Sequence, residues 1–235
     1  MYISVQFLIV SSGYNGQYLS QTEILNTGNT LDQSPQFQDH PKSISGVTGG
    51  FLNEEFITCG GDISGEGYTD QCFKLGSVEP FSTMIARRGY AVSIILKPGK
   101  LWILGGQSCG SSSCKLSSTE YIFADGRNEE GPPMPIALYY HAMVKINDTT
   151  SILVGGLTGS GRSKRTWYYD GKWLDGPDLE KAKNGLSVGI IRDSVTYQVY
   201  VVAAGGASDD DNDLGLNDVE ILSVTGTAWQ TGNVL

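Results

Sequence analysis

Four cysteines are the residues of this chain whose types and spacing point most directly to chemistry. Cys59 and Cys72 fall at the end of one predicted strand and within a neighbouring one, and facing Cα atoms of antiparallel strands lie about 5 Å apart, within disulfide reach. Cys109 and Cys114 bracket a short Gly/Ser loop. Two local pairs predict two disulfides and an oxidising compartment. The alternative is four reduced, buried thiols, because cysteine is also a common core residue.

The other candidate sites favour a protein without catalytic activity, cofactor or metal. Asn147 begins an Asn-Asp-Thr sequon in a predicted turn, so a glycan is expected there unless the sequon is a chance match. The cysteine spacing lacks the two close pairs typical of structural zinc. His40 and His141 are the two histidines of the chain, which are too few for the metal site of a copper or zinc enzyme. For His141, which falls in a predicted first strand, a structural role is favoured. No Gly-x-Ser-x-Gly nucleophile motif occurs in a strand-turn-helix context.

The distribution of charge argues against some classes of partner and leaves a calcium site as a possibility. The acidic segment 209–213 could hold calcium through clustered oxygens, but it lacks the glycine and glutamate of an EF-hand loop, and a solvated loop is favoured. The net charge of −9 argues against nucleic acid. No apolar run reaches the roughly 18 residues of a membrane span.

A double glycine that returns every 45 to 50 residues shows how the chain positions these sites. A degenerate first copy reads Ser12-Gly13, and each copy ends an apolar run. Self-similarity at this period indicates a repeat architecture, in which one unit needs a neighbour to bury its apolar face. The complete pairs are Gly60-Gly61, Gly105-Gly106, Gly155-Gly156 and Gly205-Gly206.

Each repeat predicts four short antiparallel strands, which is the composition of a propeller blade. The second strand is the apolar run before the glycines, as in Leu101–Leu104, and the third follows a polar loop, as in Thr166–Tyr169. The fourth is weaker and clearest at Lys172–Leu174. We therefore predict one all-β domain over residues 1–235, with repeats of approximately 1–36, 37–83, 84–135, 136–180 and 181–235.

These residues resemble the Kelch-repeat β-propellers, in which an apolar strand ends in Gly-Gly and is followed by a Tyr or acidic-Tyr strand and then by a Trp before a Pro-containing turn. The matching residues are Glu120-Tyr121, Tyr169-Asp170, Trp173, Gly176-Pro177, Glu220 and Trp229. Departures are Ser12 for one glycine, Phe73 where Tyr is usual, and a missing Trp in the third repeat. The resemblance implies about five blades, the first incomplete, as part of a six-bladed propeller.

The strand order predicts an incomplete first blade. The chain begins on a second strand and ends after a fourth, so one first strand is missing from the predicted set. An unpaired strand edge exposes backbone donors and acceptors. We therefore expect a fragment of a larger propeller, or a chain that borrows strands from its parent or from another copy.

A column of cations at the starts of the first strands is the predicted partner-binding site. By the resemblance, it lies on the face that also receives the loops after the double glycines. Cations beside exposed tyrosines suit an extended acidic or hydrogen-bonding peptide. The alternative is that the cations cap strand ends and pair with neighbouring carboxylates. The column contains Lys42, Arg87, Leu138 and Lys183, with Arg88, Tyr139 and Tyr140 expected to be exposed beside it.

The sequence thus predicts a non-catalytic module that binds a protein or peptide on its loop-rich face, outside the cell. An alternative is the substrate-recognition propeller of an intracellular, cytoplasmic ubiquitin-ligase adaptor, a role that many Kelch proteins have and that needs an oligomerisation domain. A propeller enzyme similar to galactose oxidase is disfavoured, since nothing in the chain matches its metal site.

Overall fold

The computed structural model describes residues 7–26, 38–96, 99–208 and 217–232, and in this part the regular secondary structure consists almost entirely of antiparallel strands joined by turns and loops. The all-β prediction is confirmed. One 3₁₀ turn, Ser112–Cys114, is the helical element of the described residues, and no helix there is long and apolar enough to cross a membrane. The acidic segment 209–213 lies outside the described ranges.

Twenty-five strands, many of them only two residues long, make up the described part of the chain. In chain order they are β1 (Phe7–Tyr14), β2 (Tyr18–Asn26), β3 (Ile44–Ser45), β4 (Thr48–Leu52), β5 (Glu55–Cys59), β6 (Asp62–Ile63), β7 (Gly67–Tyr68), β8 (Gln71–Lys74), β9 (Pro80–Thr83), β10 (Val92–Leu96), β11 (Lys100–Leu104), β12 (Thr119–Phe123), β13 (Asn128–Gly131), β14 (Ala142–Lys145), β15 (Ser151–Val154), β16 (Leu157–Thr158), β17 (Gly161–Arg162), β18 (Thr166–Tyr169), β19 (Trp173–Asp175), β20 (Lys183–Asn184), β21 (Ser187–Arg192), β22 (Val199–Ala204), β23 (Ala207–Ser208), β24 (Val219–Ser223) and β25 (Gln230–Gly232).

Four of the sheets contain four long strands each, as the repeat predicts. Sheet two has the order β4-β5-β8-β9, sheet three β10-β11-β12-β13, sheet four β14-β15-β18-β19 and sheet five β21-β22-β24-β25. Sheet one is the hairpin β1-β2, to which the short strands β3, β6 and β7 attach. Among the described residues, no strand of sheet five pairs with a strand of sheet one.

The double glycines adopt the backbone conformation that their position requires. Every member of the complete pairs has a positive φ, and so does Gly13, which follows a bulge in β1. At Gly105 an added Cβ would lie 2.6 Å from the carbonyl oxygen of Leu138. A side chain there would meet both backbone strain and a clash, so glycine is needed for the close approach of two backbone segments.

The core lies between successive sheets, which pack against one another through their faces. Three clusters of buried apolar residues fill the spaces between sheets two and three, three and four, and four and five. The first strands β4, β10, β14 and β21 contact their neighbours in the series. Side chains point alternately to the two faces of a sheet, and each inner sheet has a neighbouring sheet on both faces. Both faces of an inner sheet are therefore buried, and each sheet needs its neighbour to complete a core.

Candidate functional site

Four link segments join successive sheets, and they carry most of the predicted site residues. We define them as residues 40–44, 84–88, 134–138 and 179–183. The carbonyls of Arg88, Leu138 and Lys183 each accept a hydrogen bond from the second glycine of a double glycine, at N···O distances of 2.8, 2.8 and 2.9 Å. These three residues are therefore equivalent.

The predicted column of cations needs correction at two of its four positions. A backbone ladder two residues further along the chain, from Gly46 to Gly185, makes Ile44 the counterpart of Arg88. Lys42 therefore lies two residues before the position that belongs to the column, and Arg87 lies one residue before it. The true column is Ile44, Arg88, Leu138 and Lys183, and all four are at most 1% exposed.

The second link contains a buried ion pair. One guanidinium nitrogen of Arg88 lies 2.6 Å from Glu120 of β12, and the other donates to the carbonyls of Gly105 and Ser118 at 2.8 and 3.0 Å. The second carboxylate oxygen of Glu120 accepts from the N–H of Ile85 at 2.7 Å. Burial lowers the pKa of Arg88, and Glu120 opposes that shift. The prediction that Arg88 is exposed is wrong.

The fourth link repeats the arrangement with lysine. Nζ of Lys183 lies 2.8 Å from Glu220 of β24 and 3.0 Å from Asp218, and the lysine side chain is fully buried. Glu220 also accepts from the N–H of Glu180 at 2.7 Å. Arg88 and Lys183 thus form the carboxylate pairs of the alternative interpretation, and these contacts occupy their charged groups.

The third link replaces the ion pair by apolar side chains. Leu138 is fully buried in one cluster with Trp167 of β18. Trp167 occupies the position of Glu120, because each faces the residue two before a double glycine in the strand register. Pro135 stands where Ile85 donates its N–H in the second link, and proline has no N–H to leave without a partner.

The first link has the same apolar form. Ile44 is fully buried, and Phe73 of β8 stands at the carboxylate position of the ionic links. Pro41 again removes the backbone donor. His40 is buried and packs edge-on against Phe73 at 5.3 Å, and burial lowers its pKa. Along the chain, apolar and ionic links therefore alternate.

Two tyrosines occupy strained backbone positions just after the links. The N–H of Tyr90 donates to the carbonyl of Gly46, Tyr140 donates to Tyr90, and Gly185 donates to Tyr140, at 2.8, 3.0 and 2.8 Å. All four residues have φ between 53° and 67°. Glycine adopts this conformation freely, whereas other residues pay roughly 1–2 kcal/mol for it. Such strain is concentrated at functional sites when the surrounding structure imposes it.

The side chains of these tyrosines belong to a connected group of rings. We call Tyr68, Tyr90, Tyr139 and Tyr140 the tyrosine surface. The ring centroids of Tyr90 and Tyr140 lie 4.4 Å apart, those of Tyr139 and Tyr140 lie 4.9 Å apart, and Tyr68 meets Tyr90 at 6.3 Å. Tyr140 is 36% exposed and the other three are partly exposed. Rings that are packed yet partly open to solvent are typical of binding surfaces.

Internal partners hold the hydroxyl groups of Tyr68, Tyr90 and Tyr140. Nε2 of Gln107 donates to the Tyr68 hydroxyl, and the Tyr90 hydroxyl lies 3.1 Å from the Ser45 hydroxyl. Burial raises the pKa of Tyr68 to about 12 and also raises that of Tyr140, with Tyr90 contributing to the second shift. The hydroxyls of Tyr68 and Tyr140 therefore stay protonated at neutral pH.

Basic side chains lie beside Tyr139. Nζ of Lys115 is 5.1 Å from the centre of the Tyr139 ring and donates to the Thr158 carbonyl at 2.6 Å. Burial raises the pKa of Tyr139, and the charge of Arg162 opposes the shift. Nε of Arg162 donates to the side chain of Asn184 at 2.7 Å. Lys115 therefore places a positive charge beside this end of the tyrosine surface.

The two remaining predicted cations lie at the surface. Arg87 is exposed, and with Tyr68 and Glu66 it lines an open depression of about 190 Å³. Lys42 lies 3.4 Å from Glu66 in an exposed ion pair. Arg87 thus adjoins the tyrosine surface through Tyr68.

Both predicted disulfides are present, and the described residues contain no free cysteine. Cys59 and Cys72 are buried and face each other across β5 and β8, with Cα atoms 4.0 Å apart. Cys109 and Cys114 close the loop that begins at Gln107. This second bridge therefore lies within the segment that contributes both Gln107 and Lys115 to the tyrosine surface.

The remaining candidate residues have no shared site. Asn147 is exposed in the β14–β15 turn, where its side-chain oxygen accepts from the N–H groups of Thr149 and Thr150. His141 is buried, and burial lowers its pKa to about 3. In the described ranges, no group of three or more His, Cys, Asp or Glu side chains could hold a metal ion.

Comparison of the chain with models of known protein families and with curated proteins finds no match. The function is therefore inferred from the site itself.

Sequence reasoning found half of the tyrosine surface. Tyr139 and Tyr140 were predicted, whereas Tyr68 and Tyr90 were missed. The alignment that placed Arg87 opposite Leu138 was one residue out of register. Moving it by one places Tyr90 opposite Tyr140, so the signal was present in the repeat.

Proposed function

We propose that this chain is a non-catalytic, Kelch-type propeller module that binds a protein partner through the tyrosine surface. The series of four-stranded antiparallel sheets, each packed on the next, supports the propeller architecture. The double glycines at the end of each second strand support the Kelch type.

One observation carries the binding proposal. Tyr90 and Tyr140 have positive φ at positions where the neighbouring repeats use Gly46 and Gly185. A tyrosine at such a position destabilises the folded state relative to glycine, because its backbone conformation is strained. The tyrosine ring is partly exposed, so burial in the core does not offset this cost. A partner that binds to the two rings explains why tyrosine, and not glycine, stands at both positions. Tyrosine is enriched among the residues that contribute most of the binding energy of an interface.

An extracellular location is proposed from the covalent features. Disulfides persist in oxidising compartments, and both bridges of this chain close locally. Asn147 is exposed and heads a sequon in a turn that has room for a glycan. Peptide mapping of protein from its natural source tests this: two intact bridges and a glycosylated Asn147 are expected, and four free thiols would contradict it.

The binding proposal is tested with two glycine variants of the immobilised chain. Tyr140→Gly removes a ring of the tyrosine surface at a position that suits glycine. Tyr197→Gly is the matched control, because Tyr197 also has a positive φ and is 83% exposed, but it lies in the turn between β21 and β22. Extracellular proteins of the source should contain a partner that the native chain and Tyr197→Gly retain and Tyr140→Gly loses. Equal capture by all three would overturn the proposal.

A further inference from the structure

We propose that the partner segment bound by the tyrosine surface is proline-rich, adopts a polyproline II conformation, and carries a carboxylate next to its prolines. This inference rests on the proposed function and names the chemistry of the ligand. It follows from which parts of the rings are free, from their spacing and from the charge at one end.

In three of the four tyrosines of the tyrosine surface, Tyr68, Tyr90 and Tyr140, the hydroxyl has an internal partner and the free parts are ring carbons. Gln107 engages the hydroxyl of Tyr68, Ser45 engages that of Tyr90, and Tyr90 contributes a hydrogen bond to the raised pKa of Tyr140. A ligand that relied on hydrogen bonds to these hydroxyls would have to displace existing partners. Proline presents an apolar ring that packs on an aromatic ring and demands no hydrogen bond, and aromatic-lined grooves bind polyproline II segments in this way.

The spacing of Tyr68 and Tyr90 matches two residues of a polyproline II segment. That conformation advances about 3.1 Å per residue. Two residues therefore cover the 6.3 Å between the ring centroids of Tyr68 and Tyr90. The centroids of Tyr90, Tyr140 and Tyr139 follow at 4.4 and 4.9 Å, so the remaining rings lie within the reach of a short proline run. Because proline restricts the free peptide to this conformation, little entropy is lost on binding.

Positively charged side chains at one end of the tyrosine surface determine which type of residue is favoured next to the prolines of the peptide. Lys115 lies 5.1 Å from the Tyr139 ring, and Arg162 is close enough to oppose the pKa shift of that tyrosine. Both cations have internal oxygen partners, to Thr158 and Asn184, that fix them beside the rings. A carboxylate next to the prolines complements this end of the surface, whereas a basic flank is repelled.

The test is calorimetric titration of the full chain with a synthetic peptide of six prolines flanked by aspartates. The matched probes carry alanine in place of proline, or glycine in place of aspartate. A neutral oligosaccharide of glucose is titrated in parallel, because sugars also stack on tyrosine rings. Saturable binding is expected for the proline peptide with aspartate flanks and not for the alanine peptide or the sugar.

Three variants connect the binding to the surface. Tyr90→Gly and Tyr140→Gly should each weaken the proline peptide at least ~10-fold, as expected for a central aromatic contact, while Tyr197→Gly leaves the affinity unchanged. Both surface variants should fold, because Gly46 and Gly185 already occupy equivalent positions. Lys115→Gln should remove the preference for aspartate over glycine flanks, an effect of about two- to fivefold for an exposed charge pair.

The outcomes separate this inference from the proposed function. Absence of peptide binding to the native chain, or equal binding by Tyr140→Gly, overturns the proline-rich ligand. If an extracellular partner is still captured in a Tyr140-dependent manner, the proposed function stands and the ligand chemistry is different. Binding of the sugar alone, lost in Tyr140→Gly, would overturn the peptide in favour of a carbohydrate.

Discussion

Replacing the ionic link by its apolar counterpart tests whether the three positions of a link act together. Arg88→Leu leaves Glu120 buried without its cation, at 1% exposure. Breaking a buried pair by removing one partner costs about 3–5 kcal/mol. Since small domains are stable by roughly 5–15 kcal/mol, this single change should remove a large part of the stability.

Adding the other two substitutions should restore most of that loss. Glu120→Trp removes the unpaired charge, and Ile85→Pro removes the N–H that the carboxylate accepted at 2.7 Å. The triple variant reproduces the apolar third link. An open depression of about 230 Å³, lined in part by Arg88, Glu120 and Gly131, adjoins the substituted positions. Without the proline, the N–H of Ile85 loses the Glu120 carboxylate as its acceptor.

Urea denaturation with intact disulfides measures each free energy of unfolding from the midpoint and slope. The control is Arg127→Leu, which removes an Arg–carboxylate contact of 2.8 Å on the surface and should leave the midpoint unchanged. If Arg88→Leu unfolds at the native midpoint, or if the triple variant is no more stable than the single one, the links do not act as units.

The remaining predictions concern the disulfides and His141. Replacing both Cys59 and Cys72 by alanine should cost about 2–5 kcal/mol, whereas the same change at Cys109 and Cys114 should cost less because that bridge closes a shorter loop, and urea denaturation gives the order. Because burial lowers the pKa of His141 from 6.5 to about 3, the unfolded chain binds a proton there that the folded chain does not. Stability present above pH 6.5 should fall on acidification toward pH 3 by up to ~1.4 kcal/mol per pH unit, and His141→Leu should lose that component of the slope in urea titrations near pH 5.

Period and pattern were sufficient to predict the longer strands of the four-stranded sheets and the disulfides. The double glycines fix the end of each second strand, and the third strand Thr166–Tyr169 was predicted with its observed bounds. The Cys59–Cys72 bridge follows from the same register, since Cys59 directly precedes a double glycine and Cys72 faces Cys59 from the next long strand. These features depend on local order along the chain, which a single sequence displays.

The links and the tyrosine surface depend on contacts between repeats, and there the sequence was less informative. Arg87 and Arg88 are adjacent and chemically alike, so composition cannot decide which of them faces Glu120. The hydrogen bond from a glycine N–H to the Arg88 carbonyl decides it. Tyr68 lies in β7, one of the two-residue strands that no apolar pattern marks.

The alternation of apolar and ionic links gives neighbouring repeats different identities during folding. Repeats with similar strands can dock on the wrong neighbour, which is a common error of repeat proteins. A shift by one repeat would bring Arg88 against Trp167, or Leu138 against Glu120, and either mismatch buries a charge without a partner. The sheets resemble one another, but successive links differ in chemistry. A structure in which a repeat docks on the wrong neighbour is therefore destabilised relative to the native order.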